Sequence, residues 1–223
     1  MPRSRTPEQY LLVEGKNDIH VITNLCKRHG ITGLPCREPN EDGEASGIDE
    51  LLAGIPGRLQ ESHVHTFGIV VDADEDASDR WRSIRAFLLD AGYASIPATP
   101  VPEGWISTEL VLKRVGVWVM PDNQLSGMLE DFAAQLIPNG DVLLGKAEDV
   151  LQELERDGLQ QYGTTNHAKA LIHTWLAWQA TPGMPIGLAI TAKALDHDTP
   201  AARRFVAWVR WLFALPFPAQ EGA

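Results

Sequence analysis

Two acidic strings in this chain stand directly behind short apolar runs. Glu14-Gly15-Lys16-Asn17-Asp18 follows residues 10–13, and Asp72-Ala73-Asp74-Glu75-Asp76 follows residues 67–71. Alternate residues of an extended segment share a face, so Asp72, Asp74 and Asp76 can turn toward one point. Crowded carboxylates repel one another unless a cation neutralises them, and hard oxygen ligands favour magnesium or manganese over softer metals. A metal held this way activates water and offsets charge on a phosphodiester while a nearby carboxylate handles protons, which is phosphoryl chemistry. For an acidic turn taken alone, solvation or capping of the next helix is an equal alternative.

Convergence of the two strings depends on the elements that carry them. Residues 10–13 and 67–71 are β-favouring, and the second is a continuous Val/Ile-rich run of the kind buried on both faces of a sheet. Each precedes a helical pattern: Ile19, Ile22 and Cys26 ending at Gly30, then Trp81, Ile84, Phe87 and Leu88 ending at Gly92. A further helix is predicted over 47–59, bent at Pro56-Gly57. A third strand is predicted over 115–120, and a helix over 127–137. Strand and helix in alternation imply a parallel sheet with right-handed crossovers, whose strands all end at one edge, where ligands of such folds bind. Beyond Pro138-Asn139-Gly140 only helical patterns occur, over 142–155, 167–179, 188–195 and 200–215. The expected organisation is an α/β domain over residues 1–140 and a helical C-terminal extension over 141–223. Leu171, Trp175 and Trp178 fall on one helical face, and Phe205, Trp208 and Leu212 on another. Core anchoring is the plain reading of these aromatics, and a docking or base-stacking surface the alternative.

The string LLVEGKND followed at a distance by VVDADED resembles the TOPRIM domain shared by topoisomerases, bacterial primases, a ribosomal-RNA maturation nuclease and the OLD family of nucleases. In that family a strand ends in Glu-Gly with an Asp three residues after the Gly, and a later strand ends in Asp-x-Asp, sometimes extended by another x-Asp. Glu14, Gly15 and Asp18 fill the first motif; Asp72, Asp74 and Asp76 fill the second. The resemblance covers roughly residues 8–137. It implies a Rossmann-like, mostly parallel sheet flanked by helices, followed here by a helical appendage, with the metal at the carboxyl edge. Glu14 would then act as general acid or base, and Asp72 and Asp74, with Glu14, Asp18 and Asp76 beside them, would bind Mg2+ or Mn2+. The chain is also similar to small prokaryotic TOPRIM-like proteins with segments like MPDN…GMLEDF and HTWLAWQ…PG…PIG, here within 120–132 and 173–187. Many relatives place a Gly soon after Asp-x-Asp, where this chain has Ala77-Ser78-Asp79-Arg80.

Charge and composition narrow the activities. Nineteen Lys and Arg against 30 Asp and Glu give a net charge of -11, and residues 1–140 alone hold 12 basic and 21 acidic side chains. Binding nucleic acid by bulk electrostatics needs clustered cations that this chain lacks. Strand passage would require a tyrosine-bearing domain, which three tyrosines in 223 residues leave no room for. A primase-like zinc module would need more than Cys26 and Cys36, which make neither a disulfide framework nor a metal knuckle. What remains is a metal-dependent nuclease acting on DNA or RNA, or a regulatory module working with a partner such as an ATPase. Lys16 and Arg80 are candidate contacts for a substrate phosphate, with solvation and salt bridging as their plain alternatives. Asp122, Glu130 and Asp131 sit near a third strand end, where they suit the N-terminal dipole of a helix or would furnish a second metal site. His63 and His65 lack a third matched ligand for zinc. Residues 37–47 read as a solvated loop. The N-terminus, with Arg3 and Arg5 before Glu8 and Gln9, lacks the apolar stretch of a secretory signal, and no run reaches the roughly 20 residues of a membrane span, so a cytoplasmic location is expected.

Overall fold

The computed structural model describes residues 8–40, 47–109 and 111–217. Within them the chain runs β1 (Glu8–Leu12), α1 (Lys16–Arg28), β2 (Cys36–Arg37), α2 (Ile48–Gln60), β3 (Val64–Asp72), α3 (Ala77–Asp90), β4 (Trp105–Ile106), β5 (Arg114–Met120) and α4 (Leu129–Ala134). It continues through α5 (Val142–Arg156), a 3-10 turn at Thr164–Asn166, α6 (His167–Ala177), α7 (Ile186–Thr191) and α8 (Pro200–Leu212). The fold is α/β, with a five-stranded sheet of order β2-β1-β3-β5-β4 flanked by helices. All neighbours are parallel except β4, which lies antiparallel on the β5 edge. The predicted strands and helices are present, and the two strands that periodicity missed, β2 and β4, have only two residues each, too few to show a period. Part of the polar segment 37–47 lies outside the described residues.

Alternation of side chains divides the sheet into two buried faces. Tyr10, Leu12, Phe67, Ile69, Val71, Val115, Val117 and Val119 join Leu51 and Ile55 of α2 and Trp81, Ile84 and Leu88 of α3 in one cluster. Leu11, Val13, Val70, Trp118 and Met120 point the other way, toward α1, α4 and the C-terminal helices. Because both faces are covered, β3 and β5 read as unbroken apolar runs and not as alternating ones. Pro56 sits inside α2 without ending it.

The C-terminal helices complete the second face of the sheet. Phe205, Trp208, Val209 and Leu212 of α8 and Trp175 of α6 belong to the same core cluster as β1 and α1. Close approach is set by Gly68 of β3 and Gly116 of β5: a Cβ on Gly68 would lie 2.4 Å from Leu11 Cδ2 and 2.7 Å from Leu212 Cδ2, and one on Gly116 would lie 3.0 Å from Leu212. These two glycines form a shallow trough into which α8 settles. A third close contact joins α1 to α7, where a Cβ on Gly187 would lie 2.9 Å from the backbone of His20. Two of the four tail tryptophans, Trp175 and Trp208, are buried, whereas Trp178 and Trp211 are 40% and 62% exposed. Caps are local and strong: Asp141 Oδ1 accepts from Leu143 N and Leu144 N at the start of α5, and Thr199 Oγ1 accepts from Ala202 N just before Pro200 opens α8. Asp141 Oδ1 also accepts from Trp175 Nε1 at 3.2 Å, tying α5 to α6. None of the described helices is long and apolar enough to cross a membrane.

Candidate functional site

Parallel pairing brings the ends of β1, β3 and β5 to one edge, with Leu12 beside Ile69 and Asp72 beside Met120. Glu14 lies two residues past β1, and its Oε1 accepts a hydrogen bond from Asp72 N at 2.7 Å. The two acidic strings, 58 positions apart between these residues, are therefore in direct contact. Asp72 Oδ1 in turn accepts from Leu129 N at the first residue of α4, 2.9 Å away. Asp74 is joined to the loop after β5 by a two-residue antiparallel bridge, Asp74 N to Gly127 O at 2.9 Å and Gly127 N to Asp74 O at 2.8 Å. Gly127 is thus paired with Asp74 at a positive φ, so α4 begins at Leu129, later than the helix predicted from 127.

Asp74 has a left-handed backbone with φ of 53°, a conformation costing a non-glycine residue about 1 kcal/mol or more and held only by its surroundings. Here the Gly127 bridge and Arg80 hold it. Arg80 Nε donates to Asp72 O at 2.8 Å, and Arg80 Nη2 pairs with Asp74 Oδ2. Asp76 serves as the N-cap of α3, its Oδ1 accepting from Ser78 N and Asp79 N. Lys16 is exposed on the first turn of α1.

Burial dominates the electrostatics. Asp18, on the inner face of α1, is pushed up to about 7 by burial first and then by the charge of Glu14, against backbone N–H groups of its own residue and Gly15. Asp72 is pushed up to about 9 by burial, then by Asp18, Glu14, Glu130 and Asp74. Burial also raises Glu14, partly offset by the Asp72 N–H and the Arg80 charge. Glu130, on α4, is buried with Lys169 Nζ of α6 3.6 Å from its Oε1, and its charge acts on both Asp18 and Asp72. Glu130 therefore belongs with the carboxylate cluster. Asp122 and Asp131 instead serve the backbone, Asp122 Oδ1 accepting from Gln124 N and Leu125 N and Asp131 Oδ2 from Met128 N.

Among the described residues no three His, Cys, Asp or Glu side chains are drawn close enough to hold a metal ion as they stand. One oxygen each of Glu14, Asp72 and Asp76 is engaged by backbone N–H groups, and one of Asp74 by Arg80. The donor chemistry nevertheless fits magnesium or manganese, being all hard oxygen, mutually repelling and desolvated enough to favour neutralisation by a cation.

An open groove of about 1280 Å³ runs past this edge. One wall is the β3–α3 loop with Asp74 and Arg80; the other is the segment Thr164–Asn166 with His167 and Ala168, from the tail. His167 Nδ1 lies 2.6 Å from Glu155 Oε1, which also accepts from Tyr162 Oη at 2.8 Å. No pattern in the sequence singled out this second wall. His63 stands apart at the opposite end of the sheet, near Glu8 and Glu61.

The segments GMLEDF and PIG, noted in the sequence, now have physical roles: Gly127 pairs with Asp74, Leu129 donates to Asp72, and Gly187 permits the α1–α7 approach. The profile of a family described as a protein of unknown function, DUF3226, matches residues 8–214. The chain belongs to this family. The DUF3226 match spans the sheet and the tail together, as the shared core does. No curated protein and no solved structure matches the chain.

Proposed function

We propose that this DUF3226 protein is a divalent-metal-dependent phosphoryl-transfer protein, a nuclease hydrolysing phosphodiester bonds of DNA or RNA through a TOPRIM-like acidic site. The observation that carries the reading is the contact of Glu14 Oε1 with Asp72 N, which joins the two motif segments at the edge where ligands of parallel sheets bind. Mg2+ or Mn2+, when bound, supplies Lewis-acid charge and an activated water. Asp72 and Asp74 furnish the oxygen donors, with Asp18, Asp76 and Glu130 around them. Glu14, with its proton affinity raised by burial, takes or returns the proton. Arg80 and Lys16 face the substrate phosphates. The test is incubation of purified protein with single- and double-stranded DNA and RNA in Mg2+ or Mn2+, beside Asp72→Ala and Asp74→Ala. Cleavage lost in both variants supports the reading, and cleavage that survives them rejects it.

The net charge of -11 and the acidic lining of the groove favour a second reading. A regulatory module that retains the acidic edge would work with a partner, such as an ATPase, that supplies the cationic nucleic-acid surface. Absence of cleavage under every condition moves the weight to that reading.

A further inference from the structure

We propose that the wall contributed by the tail binds the phosphate backbone of a nucleic-acid ligand, with His167 Nε2 as its charged donor. The inference rests on the phosphodiester reading above and deepens it by assigning the face of the groove against which the substrate lies. The two sides of the groove differ in chemistry. Asp74, Glu75, Asp76, Asp79 and Asp131 line the side built by the sheet edge, α3 and α4, where Arg80 already spends Nε and Nη2 on Asp72 O and Asp74 Oδ2. The tail side is formed by Thr164, Thr165, Asn166, His167 and Ala168, none of them acidic. A polyanion entering between the two is repelled by the first and offered hydroxyl, amide and imidazole groups by the second.

His167 is held for such a contact. The hydrogen bonds that Glu155 Oε1 receives, from His167 first and then from Tyr162, keep its carboxyl below the usual range. The acceptor is therefore an ionised carboxylate, and His167 Nδ1 must bring the proton. Glu155 stands outside the groove lining, and Nε2, which diverges from the Nδ1 contact, has no hydrogen-bond partner among the described residues. The first turn of α6 is also seated on the first turn of α4: Lys169 Nζ is 3.6 Å from Glu130 Oε1, and the charge of His167 acts on Asp131. Leu129, whose N–H holds Asp72, begins that same turn. In this tautomer a neutral ring offers Nε2 only as an acceptor, so donation to a phosphate requires a protonated ring and is lost as pH rises. The charged groups that face the ring are Glu155 of α5, Asp131 of α4 and, across the groove, Asp74, Glu75, Asp76, Asp79 and Arg80, with Tyr162 beside Glu155 and Lys169 turned to Glu130.

Fluorescence anisotropy of a labelled single-stranded DNA, and of RNA of the same sequence, tests this on the full chain, His167→Gln and His173→Gln, with EDTA present so that no cleavage intervenes. His173 is exposed on α6 outside the groove lining, so its variant removes a histidine of the same helix elsewhere. At about pH 6 His167→Gln should bind about tenfold more weakly than wild type, the loss of one charge-assisted hydrogen bond, and the gap should close by about pH 8. His173→Gln should follow wild type throughout. In wild type the His167 Nε2 nitrogen resonance, identified by its absence from the His167→Gln spectrum, should move when oligonucleotide is added. Equal affinity of His167→Gln and wild type in acid, an equal loss in His173→Gln, or an unmoved Nε2 resonance overturns the inference. So does inorganic phosphate that displaces the oligonucleotide at equal concentration, which would make the ligand a free anion. A wild-type chain that binds no oligonucleotide at any pH overturns it as well, while cleavage in Mg2+ or Mn2+ is decided by its own assay. Binding with the expected pH profile and no cleavage upholds the tail wall as the ligand face and rejects the hydrolytic reading.

Discussion

Asp74 and Gly127 exchange both of their backbone hydrogen bonds, N to O in each direction, although they belong to loops after different strands. This bridge locks the β3–α3 loop to the β5–α4 loop and sets the Asp74 carboxylate at the groove. Gly127 is required twice over. Its φ is +131°, and a Cβ there would lie 2.6 Å from the Asp131 carboxylate that receives Met128 N.

Gly127→Ala should accordingly lower stability by about 1–3 kcal/mol through backbone strain and loss of the Asp131 cap. Urea unfolding measures the loss. Divalent-metal affinity should fall in parallel, and a variant as stable as wild type would show that the bridge does not constrain Asp74.

Stability of the metal-free protein should decline as pH rises. Asp72 and Asp18 have folded-state values of about 9 and about 7, both far above the roughly 3.9 of an unfolded Asp. A raised carboxyl stabilises the fold fully below its unfolded value and loses that contribution as pH climbs through its folded one. Both groups act between about pH 4 and 7, and Asp72 alone between 7 and 9, each with a limiting slope of about 1.4 kcal/mol per pH unit. The difference between wild type and Asp72→Asn in chemical denaturation isolates the effect. A difference that is flat from pH 5 to 9 contradicts the burial-driven shift.

Metal should oppose that decline. Millimolar Mg2+ or Mn2+ should raise Tm, more at pH 8 than at pH 5, because protons compete for the same oxygens. Differential scanning calorimetry should find the rise abolished in Asp74→Asn.

Packing of α8 on the sheet predicts a different set of losses. Leu212→Ala should cost about 2–5 kcal/mol as a buried truncation, and Gly68→Ala should cost about 1–3 kcal/mol by overpacking against Leu11 and Leu212. Chain ending at Gly140 should be insoluble or unfolded, since it would expose Val70, Trp118 and Met120. A soluble, cooperatively melting fragment of residues 1–140 would refute the shared core.

Tryptophan quenching divides the seven indoles cleanly. Iodide should reach Trp178 and Trp211 and leave Trp81, Trp105, Trp118, Trp175 and Trp208 protected. The double variant Trp178→Phe, Trp211→Phe should remove nearly all quenchable emission.

The acidic strings and their strands were legible because long apolar runs and terminal carboxylates are local signals. Arrival of both acidic strings at one edge followed from parallel topology alone. Glu130 was not separable from Asp122 and Asp131 by sequence, because all three sit near one strand end. What distinguishes Glu130 is that its charge acts on Asp18 and Asp72, whereas Asp122, which is also buried, and Asp131 accept from backbone N–H groups of their own loop. His167, Thr164 and Thr165 were invisible for a similar reason: they reach the groove only when the tail folds back over the sheet. Gly68 and Gly116 also carried no readable message in apolar runs, since the partner that needs them, Leu212, lies 144 and 96 positions away. Among the tail tryptophans, helical spacing correctly grouped Trp208 with Phe205 and Leu212, but Trp178 stands just past the end of α6 and escapes its buried face.

The seating of α8 against Gly68 and Gly116 also governs how the chain is made. During synthesis β1, β3 and β5 emerge long before residues 200–212, so the sheet leaves the ribosome with Trp118, Val70 and Leu11 still bare to water. Such exposed surface is what chaperones bind and what drives nascent chains to aggregate. The acidic edge therefore acquires its final geometry only after translation has passed α8, and a message truncated before that helix yields a polypeptide with every motif residue and no closed core.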